Sequence, residues 1–151
     1  MEHDPENKTI ADLFIRMADI LEYLGDDAFK INAYRKAAIS IKRLNVSIIA
    51  LYNENKLRSV PGIGPALEKK IAEYISTGSM KKYEEIIHSV SPGIIELLEM
   101  KHMGPKTVQL LQQRLGIQNR MDLLIAIESD ALKDIPGLGH KTVAQILQAL
   151  Q

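Results

Sequence analysis

The stretch that decides the fold reads Ser59-Val60-Pro61-Gly62-Ile63-Gly64-Pro65, and the amphipathic residues 66–77 follow it. Proline fixes φ, lacks an N–H donor and suits the first turn of a helix. Glycine permits backbone conformations and close approaches that a Cβ atom would block. The stretch therefore predicts a tight turn that leads into a helix, with Ile63 packed into the core.

The same turn pattern occurs twice more. Ile135-Pro136-Gly137-Leu138-Gly139-His140-Lys141-Thr142 is a close copy, and Met100-Lys101-His102-Met103-Gly104-Pro105-Lys106-Thr107 is a degenerate one. Such a turn leaves free N–H groups at a helix N-terminus, where the partial positive charge favours an anion such as phosphate. A single copy is as readily a plain helix–helix connection, but three copies in one chain favour phosphate binding.

The repeated pattern resembles the helix-hairpin-helix motif: a hydrophobic residue, Pro, Gly, a hydrophobic residue and Gly lie between two helices. The resemblance implies binding to the sugar-phosphate backbone of DNA without reading of the bases. The candidate phosphate-binding residues at the three turns are Gly62, Gly64, Lys69, Gly104, Lys106, Gly137, Gly139 and Lys141.

Composition excludes several classes of protein. The 151 residues, 46% of them hydrophobic, can bury a core in one compact domain or two small ones. No apolar run approaches the roughly 18 residues of a membrane span, and there is no signal-peptide pattern. Cysteine is absent, and the histidines at positions 3, 88, 102 and 140 lack metal-ligand spacing. We expect a soluble cytoplasmic protein, associated with the nucleoid if it is prokaryotic, without disulfides or zinc.

The zero net charge hides a steep asymmetry along the chain. Residues 1–29 carry two basic and eight acidic side chains. Residues 30–82 carry eleven basic and three acidic side chains, which is a local net charge of +8. Residues 83–151 have a net charge of −2. The basic block coincides with the first turn, where a polyanion would need it. An aromatic content of 5%, without tryptophan, favours contacts to a duplex backbone over stacking on single strands.

Hydrophobic periodicity predicts an all-α chain. We expect helices over residues 9–24, 28–44, 47–53, 65–77, 81–90, 94–100, 105–115, 119–128 and 140–150. Ser91-Pro92-Gly93 is the best candidate for a boundary between two small helical domains. The first, over residues 1–90, contains one hairpin, and the second, over 91–151, contains two.

The second predicted helix has an apolar stripe and a cationic side. The stripe consists of Tyr34, Ala37, Ile41 and Leu44, and Lys30 falls in line with it one turn earlier. On the opposite side, Arg35 and Lys42 line one flank, and Lys36 and Arg43 line the other. These cations either meet phosphates or are simply solvated, which is commoner for a single helix; Arg35 is the candidate phosphate ligand among them.

Lys70 is the candidate nucleophile of the chain. It flanks the buried stripe of helix 65–77, so it is expected to be half-buried, while Lys69 points nearly opposite that stripe. A partly desolvated amine near other cations has a lowered pKa and can form a Schiff base. The alternative, which the pattern alone favours, is a lysine whose stem covers the core and whose head stays in water.

Three segments resemble the amino-terminal, DNA-end-binding region of the family X DNA polymerases, to which DNA polymerase beta belongs. They are Phe29-Lys30-Ile31-Asn32-Ala33-Tyr34-Arg35-Lys36-Ala37-Ala38, Val60-Pro61-Gly62-Ile63-Gly64 and Lys70-Ile71-Ala72-Glu73-Tyr74-Ile75-Ser76-Thr77-Gly78. The resemblance covers nearly the whole chain, and the three hairpins are most similar to bacterial and archaeal members.

This resemblance implies a lyase-like helical domain followed by a fingers-like one, which hold gapped, nicked or 5′-phosphorylated DNA during repair. In lyase-active members a lysine attacks C1′ of an abasic deoxyribose, and the sugar phosphate leaves by β-elimination. By match, Lys70 is that nucleophile, Lys30 binds phosphate, Tyr34 neighbours the pocket, and Lys69 assists by charge. The family also implies a monovalent cation, Na⁺ or K⁺, on the backbone carbonyls of Arg58, Val60 and Ile63.

The sequence departs from the family pattern at three places. Ala66 stands where lyase-active relatives carry a phosphate-binding lysine, and Phe29 replaces a histidine. Lys101-His102 replaces Pro-Gly in the middle hairpin, which leaves two alternatives for its amides, the usual anion site or none. The palm domain would begin near Gln151, so we expect no polymerisation from this chain alone, whether it is a fragment or a stand-alone relative.

The sequence thus favours non-sequence-specific DNA binding, with a polymerase palm domain or other repair proteins as further partners. The first alternative is an abasic-site lyase that uses Lys70. The second is a helical protein-interaction module, whose sign would be an apolar surface patch in place of a basic one.

Overall fold

Every regular element of the described chain is helical. The computed structural model describes residues 5–151, with side chains from Glu6 onward, so His3 lies outside the described residues. The helices in this range are α1 (Pro5–Leu24), α2 (Ala28–Lys42), α3 (Ile48–Asn53), α4 (Pro65–Thr77), α5 (Lys81–Ile87), α6 (Pro92–Glu99), α7 (Pro105–Leu115), α8 (Arg120–Glu128) and α9 (His140–Leu150), with a 3-10 turn at Leu57–Ser59. The predicted all-α class is confirmed.

The helices that follow the three hairpins, α4, α7 and α9, begin and end at the predicted residues. Other boundaries were predicted less well: α1 begins at Pro5 instead of residue 9, α2 ends at Lys42 instead of residue 44, and α5 ends at Ile87 instead of residue 90. Glycine marks the start of all three hairpin helices and the end of α4 and α7, whereas the ends of α2 and α5 lack a glycine or proline signal.

The stretch Ser91-Pro92-Gly93 is the start of α6 and not a loop before it. The Ser91 hydroxyl accepts a hydrogen bond from the Ile94 amide at 3.4 Å, and Pro92 occupies the first helical position. A Cβ atom on Gly93 would collide with the Gln118 carbonyl oxygen. The glycine is therefore needed for the close approach of α6 to the connection before α8.

α1 is the central helix of the fold. Its buried face contains Ile10, Phe14 and Met17, and it packs against α2, α5, α6 and α7. Phe14 stacks on Tyr34 of α2 with ring centroids 5.7 Å apart. On the other side, Arg16 forms an ion pair with Glu99 of α6 at 2.9 Å. One helix thus packs against α2 and α5 from the amino-terminal part of the chain and against α6 and α7 from the carboxy-terminal part.

Asn7 fixes the connection between α2 and α3 to the start of α1. Its side-chain amide is buried, donates to the Val46 carbonyl at 2.9 Å and accepts from the Ile48 amide at 2.8 Å. Both hydrogen-bonding groups of the side chain are therefore satisfied, as buried polar groups require. Within residues 5–151, no helix has the length and apolarity needed to cross a membrane.

Candidate nucleic-acid interface

The three hairpin turns have the same backbone design. In each, a buried hydrophobic residue donates its amide hydrogen bond to the carbonyl three residues earlier: Ile63 to Val60 at 3.1 Å, Met103 to Met100 at 3.3 Å, and Leu138 to Ile135 at 3.2 Å. The three donors are 4%, 5% and 6% exposed. The predicted core position of Ile63 is confirmed, and its equivalents anchor the other two turns.

A glycine precedes each hairpin helix as its N-cap. The capping residues of α4, α7 and α9 are Gly64, Gly104 and Gly139, with no side-chain cap. The carbonyl of each accepts the first helical hydrogen bond, from Glu68, Val108 and Val143 respectively. Within residues 5–151, the amides of the capping glycine and of the second and third helical residues donate no hydrogen bond. These N–H groups are free for an anion.

The capping glycines are not required by the fold itself. Their φ values of −96° at Gly64, −85° at Gly104 and −78° at Gly139 are accessible to any residue. A Cβ atom built on any of the three would meet nothing within 4 Å. By contrast, Gly62 and Gly137 have φ values of +86° and +83°, which favour glycine for conformational reasons.

Lysines follow two of the three capping glycines at the same helical position. Lys106 and Lys141 are exposed at the second residue of α7 and α9, and Ala66 takes that position in α4. The lysines of the first hairpin come later, at Lys69 and Lys70. The middle and last hairpins therefore present the same combination of free amides and an adjacent cation, whereas the first presents its cations one turn further along.

α4 and α5 enclose a cleft lined mainly by lysines. Its volume is about 350 Å³, and its lining consists of Ala66, Lys69, Lys70, Glu73, Lys81, Lys82 and Glu85. The Glu73 carboxylate accepts a hydrogen bond from the Lys81 amide at 3.0 Å and so holds the start of α5 beside α4. The cleft thereby collects four cations from two helices.

Lys70 is half-buried in this cleft, as the helical spacing predicts. Partial burial lowers the pKa of its ammonium group below the ordinary lysine value, and the positive charges of Lys82 and Lys30 lower it further. A nearby carboxylate, Glu73, acts in the opposite direction. The neutral amine is therefore more populated at a given pH than that of an ordinary lysine.

Lys30 and Tyr34 have different roles in the packing of α2. Lys30 was predicted to lie in line with the buried stripe, but Ile31 takes that position. The Lys30 side chain is exposed, and its Nζ atom lies 3.7 Å from a carboxylate oxygen of Asp26. Tyr34 is 4% exposed and belongs to the core through its stacking on Phe14. Lys30 is close enough to the cleft for its charge to influence Lys70, while Tyr34 lies beneath this surface.

Arg35 forms ion pairs with two carboxylates of α1. Its guanidinium group donates hydrogen bonds to Asp19 at 2.9 Å and to Glu22 at 3.1 Å, and its side chain is one-third exposed. A cation held by two carboxylates is already neutralised and oriented. We therefore leave Arg35 out of the proposed interface.

Two family matches cover most of the chain. Residues 5–80 match the family described as "Helix-hairpin-helix domain", and residues 94–151 match the one described as "SAM-like Helix-hairpin-helix tandem". The chain belongs to the helix-hairpin-helix family. This agrees with the repeated turns and the glycine-capped helices.

This helix-hairpin-helix protein is also similar to two DNA polymerases. It is 32% identical over 143 residues to DNA polymerase/3′-5′ exonuclease PolX of Bacillus subtilis (strain 168), an overlap of 95% of this chain and 25% of the relative. It is 25% identical over 154 residues to DNA polymerase lambda of Arabidopsis thaliana, covering 94% and 28% respectively. The predicted resemblance to family X polymerases is confirmed, and the chain spans about a quarter of the length of these curated relatives.

The middle hairpin of the helix-hairpin-helix protein keeps the common backbone despite its different sequence. His102 takes the left-handed conformation, with φ +68°, at the position of Gly62 and Gly137. Histidine is among the non-glycine residues enriched in this region, although a Cβ atom makes it costly. The substitution of Lys101-His102 for Pro-Gly therefore leaves the conformation of the turn unchanged, and whether its amides bind an anion stays a prediction.

Lys82 and Lys36 belong to the cationic surface but were not selected from the sequence as site residues. Lys82 lies in the next helix and reaches Lys70 only because α5 packs beside α4. Lys36 is brought to the first hairpin by the contact of α2 with Gly62. For Lys36, helical spacing had indicated only that it lies with Arg43 on one flank of the helix, and for Lys82 the only sequence signal was the local excess of basic residues.

The predicted cation-binding carbonyls of Arg58, Val60 and Ile63 all lie in the first hairpin. The Arg58 carbonyl cannot close a turn, because the residue three positions on is Pro61, which has no N–H. The Ile63 carbonyl accepts no hydrogen bond within residues 5–151, and that of Val60 accepts one. Neutral carbonyl oxygens suit a monovalent cation. Among the described residues, no cluster of His, Asp or Glu side chains could hold a metal ion.

We expect His102→Gly to stabilise the protein by about 0.5–1 kcal/mol, because glycine relieves the strain of a left-handed residue and loses part of that gain to backbone entropy. Chemical denaturation measures the free energy of unfolding. Lys101→Gly is the matched control, since the neighbouring Lys101 is not among the residues with positive φ, and it should not stabilise. Equal effects of the two substitutions would contradict the left-handed assignment.

Proposed function

We propose that the protein binds double-stranded DNA without base preference, through the free amides and adjacent lysines of its three hairpins. The observation that carries this proposal is the use of glycine at Gly64, Gly104 and Gly139, where neither φ nor internal packing requires it. Glycine at such a position allows another backbone, such as a phosphate, to approach closely. Ser, Thr, Asp or Asn would cap the helix better.

The other helix starts support the same interpretation. Side chains of Asp27, Ser47, Ser91 and Asn119 accept hydrogen bonds at the starts of α2, α3, α6 and α8. α5 has no side-chain cap of its own, and the Glu73 carboxylate serves it instead. From α2 to α9, only the three hairpin helices start without a side-chain acceptor. Their amides are the ones that a phosphate would satisfy.

The lysine cleft between α4 and α5 favours DNA ends and interruptions over continuous duplex. Four lysines and two glutamates line this concave site, with Lys82 3.6 Å from Glu85. The remaining positive balance suits a terminal phosphate, which carries more charge than a phosphodiester. We therefore propose gapped, nicked or 5′-phosphorylated DNA as the preferred ligand and repair as its setting. The cytoplasm, at the nucleoid in a prokaryote, is the corresponding location, and a palm domain or other repair proteins are further partners.

A monovalent cation at the first hairpin is part of this proposal. Arg58, Val60 and Ile63 would hold it through their carbonyl oxygens, two of which have no other partner within residues 5–151. Its charge would offset that of a DNA phosphate next to the turn. Apart from this ion, we propose no required cofactor.

We expect Gly104→Asp combined with Gly139→Asp to weaken duplex binding without loss of stability. Each carboxylate would cap its helix and repel phosphate. The binding affinity should therefore fall about 10- to 100-fold per hairpin, which corresponds to the free energy of one hydrogen bond to a charged group. An equilibrium titration measures this, with thermal unfolding in parallel. Asn119→Asp adds the same charge at a helix start outside the hairpins and should change binding little.

Three outcomes would contradict the proposed function. Absence of wild-type binding at low salt would exclude DNA as the ligand. Wild-type affinity retained by the double variant would exclude the amides of the middle and last hairpins as DNA contacts. A marked difference in affinity between unrelated base sequences would show that bases are read, contrary to backbone recognition.

The lysine cleft favours a second candidate function, an abasic-site lyase. The Lys70 amine would add to the C1′ aldehyde of an abasic sugar, and loss of water would give an imine. Transfer of a C2′ proton to water would then break the C3′–O bond, releasing the DNA strand with its 5′-phosphate. Hydrolysis of the remaining imine would free the amine. The observation behind this candidate is the lowered pKa of a half-buried Lys70 among other cations.

If the lyase candidate holds, borohydride should trap a covalent adduct between the protein and gapped DNA with a 5′ abasic sugar phosphate. Lys70→Ala should abolish the adduct, whereas Lys69→Ala, a neighbouring exposed cation of the same cleft, should retain it. Adduct formation should rise with pH, as the free amine becomes more populated. No wild-type adduct, or an adduct that persists in Lys70→Ala, would exclude Lys70 as nucleophile.

A further inference from the structure

The structure separates the four cations on the outer side of α2 into two pairs. Arg35 and Lys42 face α1, where Arg35 pairs with Asp19 and Glu22 and Lys42 lies 3.5 Å from Asp12. Lys36 and Arg43 face away from these carboxylates. Both are exposed, and neither forms an ion pair within the described residues 5–151. The helix thus has a neutralised flank and a cationic one.

The cationic flank begins at the first hairpin. A Cβ atom built on Gly62 would lie 3.8 Å from the Cβ atom of Lys36, so the turn packs directly on α2 at this residue. The Lys36 side chain therefore starts at the edge of the hairpin whose amides are free.

Arg43 continues the flank away from the hairpin. It lies seven residues after Lys36, which is two helical turns or about 10.5 Å along the axis. One strand of a duplex places a phosphate about every 3.4 Å along its axis, so this distance corresponds to about three nucleotides. Between the two cations the same side of α2 carries exposed Ile39, without a carboxylate that would neutralise them.

We propose that Lys36 and Arg43 form a second phosphate-binding line, the α2 track, which extends the footprint of the first hairpin along one DNA strand by about three nucleotides. The occupant is the phosphate backbone of the same DNA molecule that the hairpin holds. The α2 track rests on the proposed DNA-binding function, and it adds electrostatic contact without base reading. Its chemistry is that of guanidinium and ammonium groups on phosphodiesters.

A structural role is the main alternative for Arg43. It caps the carboxy-terminal end of α2, where a cation interacts favourably with the helix dipole. That role affects stability and not DNA binding. Thermal unfolding and the salt dependence of binding therefore distinguish the two, because only a phosphate contact changes the number of counterions released.

The test compares the salt dependence of duplex binding in three proteins. The double variant Lys36→Gln with Arg43→Gln should lower the slope of log K against log salt by about 2, roughly one unit for each lost phosphate contact. Lys42→Gln is the matched control, since Lys42 precedes Arg43 in sequence, is also exposed and pairs with Asp12. Its slope should equal that of the wild type. Melting temperatures confirm that each variant is folded.

Three results would overturn the α2 track. If the double variant binds DNA with the same salt slope as the wild type, the α2 track is contradicted, while the proposed function of the hairpins is not affected. An equal loss of slope in Lys42→Gln would assign the effect to net charge. Absence of wild-type binding to any duplex would remove the proposed function and the α2 track together.

Discussion

The unmet hydrogen-bonding capacity of three helix starts is the constraint on which this structure depends. A helix leaves its first amides without partners, and a folded protein normally supplies side-chain acceptors for them. This chain does so at the starts of α2, α3, α6 and α8, and the Glu73 carboxylate of α4 accepts a hydrogen bond at the start of α5. At α4, α7 and α9 it places glycine instead. The exceptions coincide with the hairpins, which supports the proposal that the hairpins bind phosphate.

The hairpins are held in place by packing that leaves their outer side bare. Each turn is anchored by one buried hydrophobic residue, and its capping glycine faces open space. α1 holds the first hairpin indirectly, through α2, and contacts α6 and α7 beside the middle one. The carboxylates of α1 neutralise one flank of α2, whereas the other flank keeps Lys36, which has no ion pair in the described part of the chain and lies beside the first hairpin. A protein of zero net charge can thereby present a basic surface.

Much of this arrangement could be predicted from the sequence, because glycine and proline are local signals. They indicated both limits of α4 and α7, the start of α9, the buried position of Ile63 and the family resemblance. Tertiary packing decided the rest. Spacing alone could not tell that Arg35 faces the carboxylates of α1 while Lys36 faces the hairpin. Likewise, His102 adopts the conformation of a glycine because the buried Met103 and the shared turn require it.

The charge asymmetry of the sequence correctly indicates which region is basic, but it does not indicate which individual cations are free of ion pairs. Within the basic block, Lys42 and Arg58 are engaged with carboxylates, whereas Lys69 and Lys81 line the cleft without an ion pair among residues 5–151. A count of charges cannot distinguish these cases, because pairing depends on which helices meet. The lysine cleft forms where the packing of α5 on α1 and the hydrogen bond of Glu73 to the start of α5 place α5 beside α4.

The most direct test of the account is an NMR titration of the backbone amides with duplex DNA. We expect the largest amide chemical-shift changes at Gly64, Gly104 and Gly139 and at the second and third residues of the helices that follow them. The side-chain-capped starts of α2, α3, α6 and α8 should shift little. Shifts concentrated at those capped starts, or hairpin amides that do not respond to DNA, would contradict the central claim that these free amides bind phosphate.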